Sequence, residues 1–78
     1  MEFSTISDSA KIAILQSSLA TIESELYREL LYSGIDPDTF TGISDIENSD
    51  NPDIVMRLSR FQDIMSRMSF IKERLESI

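Results

Sequence analysis

Every glycine and proline in this 78-residue chain falls in one window: Gly34, Pro37, Gly42 and Pro52. These two residue types are the ones a helix interior tolerates least: glycine for its backbone freedom, proline for its missing N–H and ring clash. The flanking segments contain neither. The expected fold is therefore all-α: two long antiparallel helices, one over about 7–33 and one over about 52–78, joined by an acidic loop of about 18 residues over 34–51. Residues 1–78 form one helical-hairpin domain, and each helix of about 25 residues is roughly 38 Å long.

Local signals agree at both ends of each segment. Thr5-x-x-Asp8 resembles a capping box, with Ser7 or Asp8 as the cap itself. The first helix is expected to stop at Tyr32 or Ser33, with Gly34 in the left-handed conformation. Asn51-Pro52-Asp53 supplies a cap, a proline for the first helical position and an acid for the first turn. Lys72 and Arg74 suit the negative end of the second helix.

Periodicity then places the apolar surface. Ile12, Leu15, Leu19, Ile22, Leu26 and Leu30 recur at steps of three and four, covering about 80° of the first helix. Ala13, Ala20, Tyr27 and Leu31 form a second group to one side. Phe61, Ile64, Met68, Ile71, Leu75 and Ile78 make an unbroken heptad seam, which Ile54 continues upstream and Arg57 interrupts. Leu58 and Met65 widen this stripe to about 160°. Met65 and Met68 read as core, whereas Met56 and Phe70 lie off the stripe.

Two helices touching along one line do not cover that much apolar surface, and a chain this short keeps much of itself wet. The expected remedy is a second copy, two hairpins packing face to face as a dimeric four-helix bundle. The candidate interface is Leu19, Ile22, Leu26, Phe61, Ile64, Met68, Ile71 and Leu75. Arg60, Arg67 and Arg74 recur every seven residues beside the seam. They read as partners for Glu23, Glu25 or Glu29 on the adjacent helix rather than as a phosphate ladder.

The loop stretch Asp36 to Glu47, DPDTFTGISDIE, has the length of a calcium-binding EF-hand loop. Asp36, Asp38, Ser44 and Glu47 fit ligand positions and Ile43 the apolar eighth place. Phe40 stands where a side-chain oxygen is required, Thr41 replaces the turn glycine, and Gly42 comes one residue late. The better reading is a capped loop. Asp36-Pro37 opens a short turn, Ser44-x-x-Glu47 is a second capping box, and Ile35, Phe40, Ile43 and Ile46 fold down over the helix ends. A loop of this length is also a candidate partner-binding surface through Asp36, Asp38, Phe40, Asp45 and Glu47.

Composition removes several chemistries. The chain has no cysteine and no histidine, hence no disulfide, no thiolate site and neither the commonest general base nor the commonest transition-metal ligand. No enzyme activity, cofactor or metal is expected. The formal net charge is −7, which argues against nucleic acid and anionic lipid as partners. No apolar run approaches the ~20 residues needed to span a bilayer, and the start, MEFSTISDS, lacks the basic region of a secretory signal. The expectation is a cytoplasmic protein outside the membrane, a non-catalytic interaction or assembly protein that works as a homodimer with an unidentified protein partner. The alternative from another class is an acidic effector that imitates nucleic-acid charge on a basic protein surface.

Overall fold

The computed structural model describes residues 5–78, whose regular structure is four helices with no strand. Helix α1 spans Asp8–Tyr32, α2 Ser44–Glu47, α3 Pro52–Val55 and α4 Leu58–Glu76. The two long helices pack on each other as a hairpin, and the two short ones lie in the connection. The result is a rod of 49 × 20 × 19 Å with a radius of gyration of 15.2 Å. A compact domain of this length would have a radius of about 11.5 Å. The extra length belongs to helices that run on without a third layer.

The ends of α1 are closed by local chemistry. Ser7 is the N-cap, its Oγ accepting the Ala10 N–H at 3.3 Å. At the other end Gly34 adopts φ 74°, a conformation that a Cβ would penalise. The Gly34 N–H donates to the Leu31 carbonyl and the Ile35 N–H to the Leu30 carbonyl, at 3.1 and 2.9 Å. This is a Schellman closure, and its customary apolar contact is present, since Ile35 and Leu30 share a core cluster. The closure turns the chain back across the end of the helix rather than away from it.

The second helix departs from the expected single run over 52–78. It is broken after Val55, with Met56 and Arg57 joining α3 to α4. The Arg57 N–H donates to the Ile54 carbonyl at 3.0 Å, a tightened three-residue turn, and the Arg57 carbonyl then accepts from Phe61 N–H at 3.1 Å to restart the helix. The cause lies in the heptad. Arg57 is seven residues before Ile64, so an unbroken helix would aim a guanidinium into the apolar seam, where an unpaired charge is expensive. The break leaves Arg57 exposed while Ile54 and Leu58 both pack on the core.

The loop is organised rather than open. Its expected apolar contacts form: Ile46 is wholly buried with Leu30 and Phe61, and Ile35, Phe40 and Ile43 pack around them. The Phe40 and Phe61 rings sit 6.5 Å apart at a tilt of 34°, within the range of a favourable aromatic pair. The second cluster, Ile22, Ile64 and Met68, lies farther along the hairpin with Leu19, Leu26 and Ile71 packed against it.

Candidate functional site

The residues expected to meet a second copy divide into two groups. Phe61 and Ile64 are each 0% exposed, and Ile22 and Met68 are buried beside them. The cover comes from the chain itself, so these four line the interior of one hairpin. Leu19, Leu26, Ile71 and Leu75 are only half-buried. Of the expected interface, these four retain area that something else can cover.

Burial declines along the rod. Next to the loop, three side chains are 3% exposed or less. Towards the opposite, open end, Leu15, Ile71 and Leu75 are half-buried, and Ile14 and Ile78 are 57% and 44% exposed. A cleft of about 740 Å³ opens there, lined by Ile14, Leu15 and Ile78 with Asp8, Lys11 and Arg74 at its rim.

The arginine series beside the seam forms the interhelical pairs that its spacing suggested. Arg60 Nη2 lies 2.8 Å from Glu29 Oε1, and Arg67 Nη2 lies 3.1 Å from Glu25 Oε1 and 3.0 Å from Asp63 Oδ2. The Glu25 hydrogen bond is the main reason that the Arg67 guanidinium is held more firmly protonated than usual. Arg74 stands at the open end, lining the same cleft as Asp8 and Lys11 of α1.

The five candidate partner-binding residues of the loop do different things. Asp36, Asp38, Asp45 and Glu47 are exposed, whereas Phe40 is half-buried and engaged with Phe61. Asp36 Oδ1 accepts the Asp38 N–H at 2.9 Å, the turn expected of Asp36-Pro37. The Ser44-x-x-Glu47 box does not form: Ile43 occupies the N-cap of α2 with no side-chain cap bond. Thr41 and Asp45 replace it. Asp45 Oδ2 accepts from Thr41 N–H at 2.7 Å and from Thr41 Oγ1 at 3.0 Å. The Thr41 N–H, then its hydroxyl, holds the Asp45 carboxyl below its ordinary value. The exchange is legible afterwards, since Thr41-x-x-x-Asp45 brackets Gly42, the residue able to make the bend.

These bonds also bear on calcium. Asp36 and Asp45 spend carboxylate oxygens on the loop's own backbone, and among the described residues no group of three or more acidic side chains converges to hold a metal ion. No described helix is long and apolar enough to cross a membrane. No family model, curated protein or solved structure matches the chain, so the functional reading rests on the arrangement itself.

Proposed function

We propose that the protein is a non-catalytic interaction or assembly protein that works as a homodimer. The observation that carries this reading is the decline of burial from the loop to the open end. The chain exposes 5652 Å², against about 4,800 Å² for a compact monomer of its mass. The excess, roughly 800 Å², is similar to what one partner buries in an interface of ordinary size. It accompanies the rod shape of 49 × 20 × 19 Å. The four buried seam residues, Ile22, Phe61, Ile64 and Met68, are left out of the pairing on this reading, so it uses the outer margin of the expected interface: Leu19, Leu26, Ile71 and Leu75. Light scattering after size exclusion tests the reading. A mass twice 8.9 kDa supports it, and a single-chain mass at every concentration rejects it.

A second reading, the acidic effector, is favoured by one separate observation. Residues 36–53 contain six acids and no base, so nearly all of the net charge sits on the loop end. Asp36, Asp38, Asp45 and Glu47 present it to solvent. On this reading the loop end occupies a basic surface that otherwise holds phosphates. The test is capture on immobilised protein with duplex DNA as competitor. Basic partners released by DNA and by high salt support the reading, because exposed charges are screened within ~8 Å at physiological ionic strength. Partners indifferent to both refute it.

A further inference from the structure

We infer that residues 36–56 form a strap that lifts off the hairpin as one unit while α1 and α4 stay paired, uncovering an apolar groove floored by Leu30 and Phe61. The distribution of polar bonds carries this. Every hydrogen bond of residues 36–53 keeps both partners within 36–56. Thr41 holds Asp45, the Asn48 N–H donates to the Ser44 carbonyl, and the Met56 N–H donates to the Pro52 carbonyl. Among the described residues, no hydrogen bond crosses from this segment to α1 or α4. The ion pairs keep the same division. Arg60–Glu29 and Arg67–Glu25 fasten α4 to α1 at 2.8 and 3.1 Å, and none of the six acids of residues 36–53 joins an ion pair.

What holds the strap down is apolar contact alone: Phe40, Ile43 and Ile54 pack with Ile46 against Leu30 and Phe61. These contacts are lost together when Ile46 leaves, whereas the strap's own bonds survive the move. Hinges stand at both ends. Gly34 at φ 74° turns the chain out of α1, and Met56 and Arg57 interrupt the helix between α3 and α4. No continuous helical ladder has to break for the strap to swing. The hairpin meanwhile keeps a support of its own. Ile22, Ile64 and Met68, with Leu19, Leu26 and Ile71, form a cluster that includes no strap residue. An element joined to the rest by few crossing bonds opens at a lower free energy than the core it covers. The strap is thus an internal occupant of the groove, and its release turns a sealed end into an open one.

Native-state amide exchange at rising denaturant tests this. The probes are the amides of Glu47 and Asn48 at α2 and of Val55 and Met56 at α3, all hydrogen-bonded within the strap. They are expected to share one protection factor, at least tenfold below that of the Ile22 and Met68 amides in the long helices. They should also share one denaturant dependence, weaker than that of global unfolding because less surface is exposed. Protection equal to that of the long helices overturns the proposal. So do separate values for α2 and α3, or exchange indifferent to denaturant, which is fraying. Ile22→Val, in the cluster that the strap does not touch, is expected to lower protection in the long helices about fivefold and leave that of the strap unchanged. A parallel fall in both overturns the separate opening.

Discussion

The two ends of this hairpin begin with similar sequence resources and finish in different states. Both have isoleucines and leucines at helical spacing. At the loop end the connection returns over the helices, and Ile46, Leu30 and Phe61 become dry. At the open end no described helix returns, and Leu15, Ile71 and Leu75 stay half-wet. The difference teaches what a two-helix protein needs. Helix against helix covers one line on each rod, and a third element must cover the flanks. Here the loop is that element for half the molecule, which accounts for its length and for its four apolar residues among acids.

The comparison can be broken most severely at Phe61. A domain of this size has about 4–12 kcal/mol of stability in all, and truncating a buried aromatic costs about 3–5 kcal/mol. Phe61→Ala is therefore expected to leave the chain largely unfolded at 37 °C by circular dichroism; a cooperative melt near that of the unaltered protein would mean that the loop-end core is not the main support. Ile46→Ala comes next, at about 2–5 kcal/mol. It also separates loop from helices, since denaturant unfolding should show that a residue outside both long helices matters as much as a seam residue. A cost below ~1 kcal/mol would reduce the loop to decoration.

Leu75→Ala should cost less, about 1 kcal/mol in dilute protein, because the side chain is only half-covered and typical losses at such positions are of that order. A loss equal to that of Ile46→Ala would erase the contrast between the ends. The smallest effect concerns Asp45. Its carboxyl is held low by Thr41, so the bond contributes above the ordinary carboxylate value near 4 and is lost as pH falls through the lower folded value. Protection of the Thr41 amide, its exchange relative to the intrinsic rate at the same pH, should fall at acid pH before the helices melt. Unchanged protection down to the acid transition would show that Thr41 and Asp45 do not hold the loop.

Much of the architecture was legible in the residues. Gly34 marked the end of α1 because a left-handed residue leaves few choices, and Asn51-Pro52 marked the start of α3 because cap and proline act within one turn. That the arginine series pairs with glutamates of α1 followed from a seven-residue spacing beside an antiparallel neighbour, whereas the choice of Glu29 for Arg60 and Glu25 for Arg67 is set by the packing. The break at Arg57 was visible as a flaw in the seam, but whether a helix tolerates such a flaw or breaks depends on the energy of burying that one charge. The Thr41–Asp45 bond was hidden behind a better-looking Ser44-x-x-Glu47 motif, since backbone direction at Gly42 decides which carboxylate arrives. Periodicity also says that an apolar stripe must be covered, not by what. Phe61 and Ile64 carry the same pattern as Leu75, yet the chain covers the first two itself.

Amide hydrogen exchange at increasing protein concentration tests the central claim most directly. Amides of residues 26–32 and 58–64, beside the sealed core, should keep the same protection relative to global unfolding throughout, while those of 12–20 and 71–76 should gain protection as the concentration rises through the dissociation constant. Open-end protection that is already equal to that of the loop end at high dilution, and indifferent to concentration, would contradict the account.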